Sequence, residues 1–162
     1  MTNLEVINME LVFQPLTQIH ALEIANDWKY DDIYSFYDMT ADAEDYEEFI
    51  DEDLRNKNDH YEALENNELI GFFCVIQENS SIEIGLGMRP DICGKGNGKQ
   101  FVKQIIDFIE QNYKFDKLIM NVASFNQRAI KVYRSCGFLD SEITNRSSNG
   151  GVYEFLTLIK KA

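Results

Sequence analysis

The stretch Cys93-Gly94-Lys95-Gly96-Asn97-Gly98-Lys99 constrains this chain more than any other. It follows an apolar run ending at Met88 and opens a segment in which Phe101, Val102, Ile105, Ile106 and Ile109 recur at helical spacing. A strand, a glycine-rich turn and an amphipathic helix are therefore expected in that order. Glycines on alternate positions let the backbone approach an anion closely. The amides of a helix start point outward with the positive end of the helix dipole behind them, so the pattern reads as a pyrophosphate cradle. Two other glycine-loop readings fail. A Walker A loop would need glycine in place of Cys93 and serine or threonine in place of Gln100, and a Rossmann fingerprint would need glycine in place of Lys99.

Some thirty residues later stands Asn126-Gln127-Arg128-Ala129-Ile130-Lys131-Val132-Tyr133-Arg134-Ser135-Cys136-Gly137-Phe138. Asn126 suits a helix N-cap and Gly137 a left-handed closing residue. Tyr133 shares a helix face with Ala129, and a tyrosine so placed commonly packs its ring into the core. Together the two stretches resemble the coenzyme A site and the catalytic-acid helix of the GNAT superfamily of acyl-coenzyme A-dependent N-acyltransferases. The resemblance covers roughly Ile82 to Phe138. The family's loop reads Gln/Arg-x-x-Gly-x-Gly/Ala, and Cys93 departs from it at the first position. Because such loops bind anions largely through main-chain N–H groups, that departure should weaken the loop without abolishing it.

The resemblance implies an α/β (α+β) fold: one domain over residues 1–162, with a mixed, mostly antiparallel sheet flanked by helices. It implies acetyl-coenzyme A as donor and coenzyme A as product. Met88, Arg89, Gly94, Lys95, Gly96, Asn97, Gly98, Lys99 and Asn126 are then the residues expected at the cofactor, although Asn126 needs no ligand to explain it as a cap. In the same frame the Tyr133 hydroxyl protonates the departing sulfur. Glu83 lies thirteen residues before Gly96, the spacing at which members resembling ribosomal-protein N-terminal acetyltransferases carry Glu-Ile-Gly, which makes it a candidate base. It is equally an exposed strand position alternating with Ile82 and Ile84. Some relatives place a glutamate five residues ahead of the asparagine; Asn121 occupies that place here, and an amide cannot accept the proton.

Charge is unevenly placed along the chain, whose net charge is −13. Residues 27–53 hold twelve acids against the single base Lys29, whereas residues 89–103 hold Arg89, Lys95, Lys99 and Lys103 against Asp91. That split suits an anionic cofactor at one end and a cationic acceptor at the other, although a solvated acidic helix face accounts for most of those charges. Nucleic acid is a poor partner for such a chain. The segment from Trp28 to Asp38 adds Tyr30, Tyr34 and Tyr37 to its acids, a mixture that can hold an amine by cation–π contact or can simply pack. The acceptor expected is a small-molecule amine or a protein N-terminus, and a homodimer is compatible with the sequence.

Further elements follow from pattern. A strand is expected at Leu11–Phe13, helices at Thr17–Trp28 and Asp42–Leu54, and a hairpin of His60–Glu65 and Glu68–Ile76 joined at Asn66-Asn67. Ile82–Met88 is a strand in which Gly85 and Gly87 suggest a bulge or a close ligand. Leu118–Val122, Phe138–Thr144 and Val152–Ile159 complete the sheet, with Asn145–Gly151 as the last hairpin loop. A hydrophobic content of 44% and few prolines fit a compact core. No apolar run reaches membrane-spanning length and no signal peptide is visible, so a cytoplasmic enzyme without membrane association is expected. Cys74, Cys93 and Cys136 form no metal-ligand spacing, and His20 and His60 lie far apart in sequence, so no metal site is expected. The reaction implied is direct transfer of acetyl to a primary amine. The alternative is a non-catalytic acyl-coenzyme A sensor that keeps the cradle and shows no turnover.

Overall fold

The computed structural model describes residues 8–162; residues 1–7 of the expected 1–162 domain lie outside the described residues. The chain runs β1 (Leu11–Pro15), α1 (Gln18–Asp27), two 3-10 turns (Asp32–Tyr37 and Met39–Ala41), α2 (Ala43–Ile50), α3 (Glu52–Arg55), β2 (Asp59–Glu65) and β3 (Glu68–Glu78). It continues through β4 (Ser81–Met88), a 3-10 turn (Pro90–Ile92), α4 (Gly98–Asn112), β5 (Lys117–Ala123), α5 (Gln127–Ser135), β6 (Leu139–Ser148) and β7 (Gly151–Lys161). The strands make one mixed sheet in the order β1-β2-β3-β4-β5-β7-β6. Every neighbouring pair is antiparallel except β4 with β5. Among the described residues, no helix is long and apolar enough to cross a membrane.

That parallel pair positions the site. β4 and β5 are paired only from Ser81 to Glu83 against Lys117 to Ile119. Beyond Glu83, β4 stays on β3 and β5 stays on β7, so the two strands part and leave a wedge in the middle of the sheet. α4 packs its expected face there: Phe101, Val102, Ile105, Ile106 and Ile109 are all buried. Each such side chain contributes about 1.5–3 kcal/mol by leaving water. A second cluster gathers Leu16, Ala21, Ile24, Ala25, Trp28, Phe49 and Leu69 between α1, α2 and the sheet. Glu62 of β2, fully buried, joins that corner to the sheet. Its Oε1 accepts from Thr17 N and Oγ1, both at 2.9 Å, and lies 2.9 Å from His20 Nδ1, while Gln14 donates to Oε2.

Three expectations need correction. The helix expected over Asp42–Leu54 is interrupted, because Asp51 leaves helical geometry and its carboxylate instead caps the N–H groups of Asp53 and Leu54. The loop expected over Asn145–Gly151 is mostly strand: pairing of β6 with β7 continues to Ser148↔Gly151, and only Asn149 and Gly150, both at positive φ, make the turn. The bulge suggested for Gly85 and Gly87 is absent against β3, since the register runs unshifted from Gly71↔Met88 to Glu78↔Ser81. A Cβ at Gly85 would come within 2.8 Å of Cys74 Sγ, and one at Gly87 within 2.5 Å of the Phe72 ring. Crowding from the next strand bears on both glycines, and both also line the central cavity, where a ligand can approach them. The Asn66-Asn67 hairpin is as expected, with both residues at positive φ as a two-residue primed turn requires.

Candidate active site

The wedge between β4 and β5 opens into a cavity of 520 Å3. One end is the glycine loop. Gly94 and Gly96 hold positive φ, and a side chain at Gly96 would meet nothing within 4 Å, so its backbone stands open to a ligand. α4 starts immediately after Asn97, which places the unpaired first-turn amides and the helix dipole at the same point. Gly94, Gly96, Gly98 and Lys99 all line the cavity. These features fit a phosphate-bearing cofactor. The long wall from Ile84 to Met88, left without a β5 partner, can run beside an extended chain leading away from the phosphates.

A second wall is formed by α5, which packs beside the loop and the start of α4. Asn126 caps it, its Oδ1 accepting from Ala129 N at 3.1 Å, and it also lines the cavity. Tyr133 is 7% exposed, packs edge-on against Phe138 with ring centroids 6.3 Å apart, and belongs both to the core and to the cavity wall. Burial raises the pKa of its hydroxyl, with smaller contributions from Tyr37 and Cys136, so Tyr133 holds its proton at neutral pH. Burial also raises the thiols of Cys93 and Cys136 above their ordinary value, which leaves both poorly suited to form an acyl-enzyme.

Trp28, Tyr30, Tyr34 and Tyr37 line the same cavity from the N-terminal half. Trp28 is almost fully buried against Phe72. Tyr30 donates to Met88 O at 2.7 Å, while its backbone N–H donates to Asp38, and so the segment is pinned across the end of β4. The β6–β7 turn holds it from the other side: Asn149 donates its N–H to Asp42 and its side-chain amide to Phe36 O. Beyond Tyr37 and Met39, which the two spaces share, lies a smaller recess of 220 Å3 bordered by Asp38, Asp42 and Asp45. The Asp45 carboxyl is raised by lost solvation and then by repulsion from Asp42, Glu48 and Glu44. A cation in that recess would relieve the repulsion.

Of the remaining expected residues, only Met88 lines the cavity. Glu83 is not in the cavity wall; its Oε1 accepts from Asn121 Nδ2 at 2.7 Å, and Asn121 is the residue that faces the cavity. Asn121 Oδ1 in turn accepts from Thr157 and Arg146, which fixes its amide toward Glu83. Met88 lines the cavity, but Arg89 is turned to Asp91 and Glu68. Lys95 is exposed outside the wall, and Asn97 donates back to Ile92 O within the loop. Arg128 was not among the expected residues, yet it lines the cavity beside Gly94. Its place two residues after the cap of α5, on the side facing the loop, was the only trace of this in the sequence. His20 and His60 both stay on the α1 side of the sheet, and among the described residues no group of three His, Cys, Asp or Glu could hold a metal ion.

Comparison with known proteins decides the family. A profile of the acetyltransferase (GNAT) family matches residues 23–138. The chain belongs to the GNAT acetyltransferase family. A spermidine N(1)-acetyltransferase from Vibrio cholerae is 29% identical over 108 residues. That match takes in 60% of this chain and 62% of the relative, so just under two thirds of the relative's length is spanned. Among solved structures, the spermidine N-acetyltransferase from Vibrio cholerae in complex with CoA and spermine shares the fold with a TM-score of 0.74. The similarity covers 93% of this chain and 95% of that one at 20% identity. The spermidine/spermine N-acetyltransferase from Vibrio cholerae with manganese ions gives a TM-score of 0.69 at 20% identity, over 94% and 92% of the two chains. The mixed sheet, seven-stranded among the described residues, is therefore the GNAT fold, and acetyl-coenzyme A is the donor that GNAT enzymes use.

Proposed function

We propose that this protein transfers an acetyl group from acetyl-coenzyme A to a primary amine of a polyamine, by direct attack with both substrates bound. The observation that carries the reading is the single cavity in which the glycine loop, the unpaired length of β4, Tyr133 and the tyrosines of residues 28–38 meet. Gly94 to Lys99 hold the phosphates with main-chain amides, and Asn126 borders the path from them to the reaction centre. The bound donor supplies an activated thioester carbonyl. Tyr133, kept protonated by its burial, gives its proton to the sulfur as it departs.

The acceptor must lose a proton before it attacks. An alkylammonium with a pKa near 10.4 is neutral only about one part in a thousand at pH 7, which costs about 4–5 kcal/mol. Glu83 receives that proton through water at the edge of Asn121, because its carboxylate stands one hydrogen bond behind the wall. A polyamine fits the remaining space: its reacting amine lies among Tyr30, Tyr34 and Tyr37, and its far ammonium faces the recess of Asp38, Asp42 and Asp45. The spermidine acetyltransferase relatives favour the same acceptor class.

A panel of acceptors tests this reading through steady-state coenzyme A release. Spermidine and spermine should give the highest kcat/KM, simple monoamines lower values, and a peptide with a free N-terminus little turnover. A peptide outranking the polyamines would overturn the acceptor assignment. Acetyl-coenzyme A binding with no turnover on any amine would instead leave an acyl-coenzyme A sensor.

A further inference from the structure

The glycine loop lacks a side-chain cation at its own first position, and the structure offers a replacement from α5. Cys93, where the family carries glutamine or arginine, has its Sγ turned back to within 3.5 Å of Arg89 O and 3.6 Å of Met88 O. It brings no charge to the cavity. Arg128 extends from α5 across to the loop, so close that a Cβ on Gly94 would lie 2.6 Å from its Nη1. On its other side the guanidinium stacks on the Tyr34 ring, 4.1 Å from the centroid. Arg128, Gly94 and Tyr34 all line the cavity.

The guanidinium also has unused capacity. Arg89 is paired with Glu68 and Asp91, and Arg134 with Asp140, but among the described residues no carboxylate lies within ion-pair distance of Arg128. A planar donor fork without a counterion matches a carboxylate or phosphate oxygen pair, and its place beside a loop of outward main-chain amides at a helix start favours phosphate. We propose that Arg128 binds the diphosphate of coenzyme A from α5, beside the loop, in the role the loop's first residue lacks here, and that Tyr34 holds it in place. Gly94 holds a left-handed φ of +70°, which favours glycine, and its missing side chain leaves room for Arg128 in this position. Tyr34 sits in the segment proposed to meet the acceptor. One stacked pair therefore links the donor site to the acceptor wall.

This inference rests on the glycine loop being the coenzyme cradle, and calorimetry on the full chain separates the two. Arg128 is exposed on α5 and its stack on Tyr34 is a surface cation–π contact, so substitution should lower the melting temperature of the unliganded protein by far less than it lowers coenzyme A affinity. Arg128→Ala should weaken coenzyme A binding about tenfold or more, as expected for losing a charge-assisted hydrogen-bond pair. Dephospho-coenzyme A, which keeps the diphosphate but lacks the ribose phosphate, should lose affinity by the same factor. Arg128→Lys should recover part of the loss, and Tyr34→Leu should weaken both ligands by a smaller factor. Gly96→Val serves as the control for the cradle. If Gly96→Val weakens binding and Arg128→Ala does not, the role of Arg128 is overturned while the cradle stands; if neither matters, the cradle itself falls. A loss confined to coenzyme A would move Arg128 to the ribose phosphate, and a lowered melting temperature matching the lost affinity would make it structural. Either result contradicts the diphosphate assignment.

Discussion

At the residue scale, Tyr133 and Glu83 were read from the same sequence resemblance, but their settings differ. Tyr133 reaches the cavity because α5 presents Asn126, Ala129 and Tyr133 on the face turned toward the wedge. Its ring also packs against Phe138, so the core-packing explanation and the catalytic one describe one side chain. Removing only the hydroxyl separates them. Tyr133→Phe should lower kcat by roughly 10²–10⁴-fold with little change in coenzyme A affinity, measured by single-turnover kinetics and calorimetry. Full activity in that variant would return Tyr133 to packing alone. Glu83 faces Asn121 rather than open space, a placement no strand pattern could reveal because it depends on where β4 and β5 stop pairing. Glu83→Gln should lower kcat/KM most at the acidic end of its pH profile, where the amine is hardest to deprotonate. An unchanged profile would assign proton removal to water without Glu83.

At the scale of elements, the sequence was most legible where one periodicity sufficed. Every residue assigned to the buried face of α4 is buried, and the Asn66-Asn67 turn follows from the tolerance of asparagine for positive φ. It was least legible where tertiary contacts override local signals. Asn145 to Ser148 carry a turn-like composition, yet they pair with β7, and the hairpin tip docks on Asp42 and Phe36. The joint at Glu62 was also invisible, since its partners Gln14, Thr17 and His20 lie more than forty residues away. Burial by itself would raise the Glu62 pKa, but the donors from Thr17, Gln14 and His20 outweigh it and hold the carboxyl below its ordinary value. A depressed folded pKa contributes stability above the unfolded value of about 4.3, and that stability is lost as pH falls through the folded value. Glu62→Gln should therefore cost about 1–3 kcal/mol at pH 7 by leaving buried donors without a carboxylate. In urea titrations the wild-type advantage should shrink below about pH 4. An advantage independent of pH would show that the joint does not need the charge.

At the scale of the whole molecule, the separation of charge seen in the sequence acquires a location. The basic stretch ends in the loop and α4, and part of the acidic stretch borders the recess next to Tyr37. Of the acids in the Trp28–Asp38 segment, Asp31 and Asp32 are exposed and outside the cavity wall, whereas Asp38 borders the recess together with Asp42 and Asp45. Asp45→Asn should raise KM for spermidine more than for a monoamine. It should also flatten the decline of kcat/KM with salt that is expected as the Debye length contracts from about 10 Å at 0.1 M to about 3 Å at 1 M. Equal effects on both acceptors would reduce the recess to a solvated acidic face. The most direct measurement of the whole account is product analysis after the purified protein is incubated with acetyl-coenzyme A and spermidine. Mass spectrometry should find spermidine acetylated on a primary amine, in amounts equal to the free coenzyme A released, and Tyr133→Phe should slow both together. Binding of acetyl-coenzyme A without any acetylated polyamine, or release of coenzyme A without a matching product, would contradict it.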